Sequence, residues 1–344
     1  MRQIVECVPN FSEGRRRDVI DAIAAAVRAT PGARLLDVDP NGDYNRTVYT
    51  FVGDAETVVQ AAFAATEAAA RLIDMAAHVG GHPRIGAADV VPFIPISGAT
   101  MEDCVACAKR YGARIARDLG IPAYLYEYAA TRPERRNLAM VRHGQYEGLP
   151  HKLADPAWRP DFGEPVFNAK SGATVTGARK FLIAYNVNLR SRDVAAAEKV
   201  AGVVRESGRV QRDAKGAKIV GPAGRPLRLP GRLKTVKGLG VDLPDAGFAQ
   251  VSMNLVDFET TPLHAAYEAC REEAEKLGQV VTGSEIVGLV PKAALLMTGR
   301  FYAGGQAETI SEAELVALAV KKLRLDDFMP FDPAKKVIEY LIGA

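Results

Sequence analysis

The chain has 344 residues, of which 48% are hydrophobic and 25% are charged, with a formal net charge of +3. This composition excludes a disordered or fibrous protein, and the small net charge gives no general reason to expect nucleic-acid binding. The length favours two domains, no stretch approaches the roughly 18 apolar residues of a membrane span, and the N-terminal residues lack the apolar region of a signal peptide. We therefore expect a cytoplasmic protein that does not insert into membranes.

The N-terminal half predicts the order strand, helix, strand, strand, helix, strand. Its four predicted strands are Ile4–Val8, Arg34–Val38, Arg46–Val52 and Val90–Ile96. Ser12 and Asp54 are the expected helix N-caps, and residues 39–43 have the composition of a turn. Pro92 and Pro95 lack an N–H donor, so we expect the fourth strand to pair only partially or to lie at an edge. The order is that of a split βαβ, or ferredoxin-like, unit.

The same order repeats in the second half of the chain. Before it come a helix, Thr100–Leu119, with a variant capping box, and the strand Ala123–Tyr126. The repeated strands are 181–187, 233–239, 248–256 and 280–287, and the helices begin at Ser191 and near Pro262. The sequence predicts an α/β (α+β) fold of two ferredoxin-like βαββαβ subdomains with extra helices. The expected bounds are 1–180 and 181–327, followed by a C-terminal tail at 328–344, and ligands favour the groove between such subdomains.

The segment 78–90 has features that a simple turn does not need. It contains His78, His82, three glycines and a proline next to His82, directly after an alanine-rich helix. One interpretation is a helix C-cap and turn with an exposed His82. The other is proton transfer, because histidine titrates near neutral pH and His82 lies close to Arg84. His78 would either contact the same cavity or only cap the helix end.

A second long segment, residues 161–177, is rich in glycine and threonine and has no periodicity. A loop of this length is either functional or disordered, and its phenylalanine and valine residues argue against disorder. We expect the part from Gly163 to Gly177 to cross the groove between the subdomains. His143 and His151, which precede it, are expected at the surface.

The four cysteines fit a reducing compartment, in which they would be free thiols. Cys104 and Cys107 have the C-x-x-C spacing of zinc sites and redox couples. A metal site needs a second ligand pair, and neither Cys7 nor Cys270 has a cysteine or histidine at ligand spacing. We predict two small buried residues on one helix face, and no metal.

Residues 205–237 carry many basic side chains and few acidic ones. The basic residues are Arg205, Arg209, Arg212, Lys215, Lys218, Arg225, Arg228, Arg232, Lys234 and Lys237. Nucleic-acid binding would need interleaved aromatic residues for stacking, and the segment has none. We predict a solvated hairpin that extends from the sheet, with a landing surface for a small polyanion as the alternative.

Four runs of sequence resemble one enzyme family. They are Cys7–Gly14, His82–Ala87 with Asp89, Gly172–Phe181 and Ser252–Phe258. In this order, and over nearly the whole chain, they resemble the glutamate formimidoyltransferases, folate-dependent enzymes of histidine breakdown. The resemblance implies two ferredoxin-like subdomains with a folate tunnel between them, and a homodimer. It also implies transfer of a formimino group from N-formimino-L-glutamate to N5 of tetrahydrofolate, which gives 5-formiminotetrahydrofolate and L-glutamate.

The resemblance also implies roles for individual residues. His82 matches the catalytic histidine of the family, so we expect it to act first as general base and then as general acid. Asp39 is our candidate for a buried carboxylate that orients the imidazole ring. Arg84 and Arg179 are candidates for binding the carboxylates of the donor. The segment implied to bind the co-substrate tetrahydrofolate is Gly163, Glu164, Pro165, Val166, Phe167, Asn168, Ala169, Lys170, Ser171 and Gly172.

Other functions remain open from the sequence. The donor could be formiminoglycine or 5-formyltetrahydrofolate, and a nucleic-acid-binding protein would show steep salt dependence. A metal-dependent hydrolase is a further alternative. Its ligands would be His78, His82, Asp37 and Asp39. On the interpretation we favour, the partners are small molecules, with neither metal nor nucleic acid, and the basic segment would attract the polyglutamate tail of a cellular folate.

Overall fold

A computed structural model describes residues 3–42, 44–222, 224–243 and 246–343. The chain divides into two compact units, residues 1–180 and residues 181–344. Among the described residues, no helix is both long and apolar enough to cross a membrane.

The first unit contains seven strands and five α-helices in the described residues. The strands are β1 (Ile4–Cys7), β2 (Asn10–Phe11), β3 (Arg34–Asn41), β4 (Arg46–Gly53), β5 (Ala88–Ser97), β6 (Ala123–Glu127) and β7 (Thr174–Ala178). The helices are α1 (Arg17–Arg28), α2 (Ala55–Leu72), α3 (Met101–Leu119), α4 (Leu138–Val141) and α5 (Leu149–Ala154). Short 3-10 turns lie at Met75–Ala77, Pro133–Arg135 and Pro156–Trp158.

The strands form one sheet whose first part has the ferredoxin-like order. β3 pairs with β4, β4 with both β1 and β2, and these two with β5, all antiparallel. β7 and then β6 extend the sheet in parallel beyond β5. Side chains alternate across the sheet, as the strand period requires. Leu125 joins the core under α1, α2 and α3, whereas Tyr124 and Tyr126 pack with residues of α4 and α5.

Helix ends in this unit follow the predictions in two places and differ in one. Asp54 caps α2 by accepting from Thr57 N–H, and Thr100 and Asp103 form the capping box of α3. The N-cap prediction for Ser12 is wrong, because α1 begins at Arg17 and the Ser12 hydroxyl donates to Gly86 O at 2.8 Å. The carboxylate of Glu13 instead accepts the N–H groups that precede α1.

Two strands of the first unit also differ from the predictions. A turn was expected at residues 39–43. For residues 39–41 this prediction is wrong, because β3 continues to Asn41, which pairs with Arg46. Of the two expectations for the fourth strand, β5, which were partial pairing or an edge position, the edge position is wrong, because β5 pairs with β1 and β2 on one side and β7 on the other. Its prolines are tolerated because Pro92 contributes its carbonyl, which accepts Val8 N–H at 3.2 Å.

The cysteine pair lies on α3 as predicted. Cys104 and Cys107 are buried on one helix face, and all four cysteines are free thiols. Burial raises the pKa of Cys104 to about 12 and also raises that of Cys107. Both thiols are therefore protonated at neutral pH and belong to the apolar core.

The second unit has a second ferredoxin-like sheet. Its strands are β8 (Ile183–Leu189), β9 (Arg209–Val210), β10 (Arg228–Leu229), β11 (Val236–Leu243), β12 (Phe248–Leu255) and β13 (Val281–Val287). Its helices are α6 (Val194–Val204), α7 (Leu263–Lys276), α8 (Lys292–Ala303), α9 (Glu312–Leu323), α10 (Pro333–Lys336) and α11 (Ile338–Ile342). The sheet order is β11, β12, β8, β13, all antiparallel, with α6 and α7 as the two crossover helices. The predicted fold of two ferredoxin-like subdomains is confirmed.

Local details of this unit include one wrong cap. Asp193, not Ser191, caps α6 by accepting Ala196 N–H, whereas the Ser191 hydroxyl donates to Gln279. The C-terminal segment packs into this unit, where Phe331 and Val337 are buried in its core.

The basic segment forms the predicted hairpin. β9 and β10 pair antiparallel, and isolated bridges join Arg212 with Lys218 and Val220 with Pro226. Arg232, at its base, forms ion pairs with Glu272 and Glu273 at 2.7 Å each. Part of the positive charge is therefore already compensated within the unit.

Candidate active site around His82

The segment 78–90, called the histidine loop below, is held between two neighbours. On one side Ser12 N–H donates to Ala87 O, and on the other Ala87 N–H donates to Ser171 O, each at 2.9 Å. Gly86 forms a β-bridge with Gly172. This approach needs glycine, because a Cβ on Gly172, whose φ is +66°, would lie 2.1 Å from the Ile85 carbonyl oxygen.

His78 is fixed in one neutral tautomer. Arg84 Nε donates to His78 Nδ1 at 3.2 Å, so that ring nitrogen is the acceptor. His78 Nε2 then carries the hydrogen and donates to Asn45 O at 2.9 Å. Burial is the main cause that lowers the pKa of His78, with Arg84 contributing. Both ring nitrogens are therefore engaged by protein groups.

In His82, unlike His78, only one ring nitrogen has a hydrogen-bond partner among the described protein groups. Its Nδ1 lies 2.8 Å from Pro83 O, and because a carbonyl oxygen only accepts, Nδ1 carries the hydrogen. In the neutral ring the lone pair therefore resides on Nε2. Burial, together with the positive charges of Arg46 and Arg142, lowers the pKa of His82 to about 4. The half-buried ring, in edge contact with Tyr44, is consequently an unprotonated base at neutral pH.

The two arginines that act on His82 converge on one buried carboxylate. Asp89, on β5, is fully buried and accepts from Arg46 Nη1 at 2.6 Å and from Arg142 Nη2. Its second oxygen accepts Ile85 N–H at 2.9 Å. These contacts, with the two arginine charges, lower the pKa of Asp89 despite its burial. Among the contacts of the described residues, two guanidinium groups thus face one carboxylate, which leaves one positive charge in excess beside His82.

The segment 163–172 is fastened to the histidine loop by Tyr146. The Tyr146 hydroxyl donates to Ala169 O, its N–H donates to Arg84 O at 2.9 Å, and its ring packs on Phe167 with centroids 5.4 Å apart. Residues 163–166 are exposed, whereas Ser171 and Gly172 are buried against the loop. The segment therefore offers an exposed backbone at one end and a rigid junction with the histidine loop at the other.

The comparisons with known proteins agree along the chain. The N-terminal subdomain of the formiminotransferase domain matches residues 4–179, and the formiminotransferase domain matches residues 184–343. The chain belongs to the formiminotransferase family. The resemblance inferred from the four sequence runs is therefore confirmed.

Two kinds of family member are similar to this chain. The glutamate formimidoyltransferase of Streptococcus pyogenes serotype M1 is 43% identical, covering 88% of this chain and 94% of that protein. That of Thermoplasma acidophilum is 44% identical, covering 87% and 92%. The formimidoyltransferase-cyclodeaminase of Rattus norvegicus is 50% identical over 99% of this chain. The chain spans about 60% of the length of the formimidoyltransferase-cyclodeaminases it matches.

Within this formiminotransferase fold, the predicted site residues lie in different surroundings. His82, Arg84 and the end of the segment 163–172 lie in or against the histidine loop. The guanidinium group of Arg84 donates to both carboxylate oxygens of Glu147, at 2.6 and 2.9 Å. Arg179 is half-buried and donates to Lys180 O. Asp39 lies on β3 and is exposed, so its expected burial is wrong. Its orienting role, and the donor-binding roles of the two arginines, stay predictions.

Sequence reasoning assigned no role to Arg46, Asp89 or Arg142. The acidic residue had a local signal, because an aspartate between alanine and valine residues of a buried strand needs a cationic partner. The arginines had none, since they lie 43 and 53 residues from Asp89 along the chain. His143 and His151 are exposed, as predicted.

Proposed function

We propose that this chain transfers the formimino group of N-formimino-L-glutamate to N5 of tetrahydrofolate, giving 5-formiminotetrahydrofolate and L-glutamate. Membership of the formiminotransferase family supports the reaction class. The observation that carries the proposal is the state of His82, whose Nε2 is unprotonated at neutral pH in a loop fixed against the segment 163–172.

The chemistry requires one group that takes up a proton and then returns it. N5 of tetrahydrofolate attacks the amidine carbon, and His82 Nε2 accepts the proton that N5 loses. The bond from that carbon to the α-nitrogen of glutamate then breaks, and the same proton is delivered to the departing amine. A neutral histidine in a half-buried site suits both steps. Asp39 would orient the ring in this proposal, which requires that the Nδ1 hydrogen leaves Pro83 O and is accepted by the Asp39 carboxylate during the reaction.

The co-substrate would contact the segment from Gly163 to Gly172. This segment has a half-buried aromatic pair, Phe167 and Tyr146, whose ring planes are tilted by 48°, and exposed residues with backbone donors and acceptors before it. A pterin ring binds through stacking and hydrogen bonds of this kind. The fit supports tetrahydrofolate as the second substrate.

The tautomer of His78 argues against the metal-dependent hydrolase. A histidine ligates a metal through an unprotonated ring nitrogen. In His78 the unprotonated Nδ1 accepts from Arg84, and Nε2 donates to Asn45 O. A metal at this position would first have to break one of these bonds. Metal analysis of protein purified without a tag tests this directly.

A donor screen tests the proposal. Tetrahydrofolate is incubated with the protein and with formiminoglutamate, formiminoglycine or 5-formyltetrahydrofolate plus glutamate, and the products are identified by mass spectrometry. We expect release of L-glutamate and formation of 5-formiminotetrahydrofolate. Turnover of another donor without turnover of formiminoglutamate would overturn the assignment of substrate.

Two finer expectations belong to the same proposal. The protein would act as a homodimer, as the family resemblance implied, and in the cytoplasm, as the N-terminal residues and the lack of long apolar stretches predict. Sedimentation equilibrium and fractionation of the source cells check these two points.

A further inference from the structure

The cluster of Arg46, Asp89 and Arg142 has binding capacity that the fold does not use. One oxygen of Asp89 accepts hydrogen bonds from both arginines, and the other accepts from Ile85 N–H. Because a carboxylate carries a single negative charge, Asp89 compensates only one of the two guanidinium charges. Arg46 remains protonated at neutral pH, because burial and Arg142 lower its pKa only to about 10. The excess positive charge is therefore permanent under working conditions, and a buried charge of this kind is stabilised by a counter-ion.

Arg142 also keeps hydrogen-bond donors in reserve. Its Nη2 donates a hydrogen bond to Asp89, whereas its Nε–H is buried and has no hydrogen-bond partner among the described residues. An unpaired buried donor costs about 1–3 kcal/mol, and the 13% of the Arg142 side chain that stays exposed is where an acceptor would reach the guanidinium group. A guanidinium group that is already oriented by Asp89 is a preformed partner for a carboxylate. Arg84 lacks this capacity, because Glu147 and His78 occupy it.

The position of the cluster decides which carboxylate it would bind. Asp89 accepts the N–H of Ile85, three residues after His82 in the histidine loop, and the charges of the two arginines lower the pKa of His82, the proposed base. In the proposed donor, the reacting nitrogen is attached to the carbon that carries the α-carboxylate, whereas the γ-carboxylate lies farther along the chain. An anion site beside the base therefore matches the α-carboxylate.

We propose that Arg142, supported by Arg46 on the buried carboxylate of Asp89, binds the α-carboxylate of the formimino donor and thereby places the reacting nitrogen at His82. This inference rests on the proposed function for the identity of the donor. The bound carboxylate also cancels the excess charge next to the imidazole. His82 then becomes a stronger base once the donor is in place, which favours its uptake of the proton from N5.

The charged and titratable groups around His82 come from several elements. Arg46 lies on β4 with Tyr44 just before it, Asp89 lies on β5, and Arg142 follows α4. Among the described charged groups that act on His82, Arg46 and Arg142 oppose its protonation in addition to burial, and Asp89 favours it, so a carboxylate that neutralises the arginines has a definite effect. It raises the histidine pKa.

The first experiment needs no turnover. His82 is titrated by NMR on histidine-labelled protein, with its signals identified among the five histidines by a His82→Gln variant. L-Glutamate is the probe. We expect saturating L-glutamate to raise the His82 pKa in the wild type but not in Arg142→Gln. Arg136→Gln, which changes an exposed arginine of the same segment, is the matched control and should behave as the wild type. An equal shift in Arg142→Gln overturns the inference.

The second experiment separates the two carboxylates by kinetics. Formiminoglycine carries only the carboxylate next to the reacting nitrogen, and 4-formiminobutyrate carries only the distant one. We expect Arg142→Gln to raise KM for formiminoglutamate and formiminoglycine by about 10- to 100-fold, as loss of a charged hydrogen bond predicts. KM for 4-formiminobutyrate and for tetrahydrofolate should stay within about twofold, and Arg142→Lys should be intermediate because it keeps the charge without the planar fork.

The outcomes distinguish this inference from the proposed function. If the wild type transfers the formimino group but Arg142→Gln keeps the donor KM of Arg136→Gln, the inference is wrong and the function stands. If no donor is turned over but L-glutamate still shifts His82 through Arg142, the function is wrong and the carboxylate site stands. Should Arg142→Gln fail to fold, Arg142→Lys carries the test, and an unchanged KM for formiminoglycine in that variant refutes the inference.

Discussion

Gly172 joins the segment 163–172 to the histidine loop, and Gly172→Ala tests whether that junction positions His82. The change has two separable costs. The first is conformational: an alanine held at a φ of +66°, in the left-handed region, lowers the free energy of unfolding by about 1–2 kcal/mol. In addition, its Cβ would lie 2.1 Å from the Ile85 carbonyl oxygen, where ordinary contact begins at 3.4 Å.

The second cost has a geometric consequence for catalysis. Relief of the contact needs a retreat of 3.4 − 2.1, or about 1.3 Å, of a carbonyl that also accepts Ala173 N–H at 3.0 Å. If His82 is the base, as proposed, a displacement of about 1 Å in its loop costs on the order of 10²-fold in rate. We therefore expect kcat/KM of Gly172→Ala to fall by about that factor.

Gly120→Ala is the matched control. Gly120, at the end of α3, has a φ of +63°, and no atom lies within 4 Å of the position that its Cβ would take. The Gly120→Ala variant has only the free-energy cost of the left-handed backbone conformation. Its Tm should therefore fall by a few degrees, because each kcal/mol lowers Tm by about 2–4 °C in a unit of this size. Its turnover should be unchanged. Melting curves of both variants give their Tm values, and rates are then measured well below both transitions. If Gly172→Ala retains the kcat/KM of Gly120→Ala, the junction does not position His82.

Four further predictions concern the site and the hairpin. His82→Ala should lower kcat by about 10²- to 10⁴-fold and leave tetrahydrofolate affinity nearly intact, and wild-type turnover would remove His82 from the mechanism. Because the pKa of His82 is lowered to about 4, its base form persists as pH falls, so kcat/KM should decline only near that pH, and a decline centred at 6.5 would contradict the assigned environment. Asp39→Asn should slow turnover with little change in Tm, while Asp37→Asn serves as control; loss of stability alone would make Asp39 structural. Replacing the hairpin residues Arg225 and Arg228 by serine should reduce a salt-sensitive preference for polyglutamylated tetrahydrofolate, and an unchanged ratio of KM values means that the hairpin does not bind the tail.

Elements whose signals are local were predictable from the sequence. Asp54 at the start of α2 and the capping box of α3 depend on residues within one turn of each other, so the chain forms them wherever it is placed. The strand and helix order of both units follows from the same short-range periodicity. The histidine loop was also recognisable, because its residue types are unusual for a turn.

Where a residue had a choice of partner, tertiary structure decided. Ser12 has the chemistry of an N-cap, but its hydroxyl reaches Gly86, which lies 74 residues away. β5 contains two prolines and still lies inside the sheet, because strands from both halves of the unit align beside it. Short-range preferences are weak compared with long-range pairing, so these cases could not be read locally.

The state of the candidate base belongs to this second class. The sequence by itself supplied His82 in a loop of permissive and rigid backbone positions. Whether that histidine is charged at neutral pH depends on Arg46 and Arg142, which only the fold brings to Asp89 from 43 and 53 residues away. Charges act through space, and their separation along the chain carries no information about their distance in the fold. The sequence thus determined which residue could move the proton, and the tertiary structure decided its pKa.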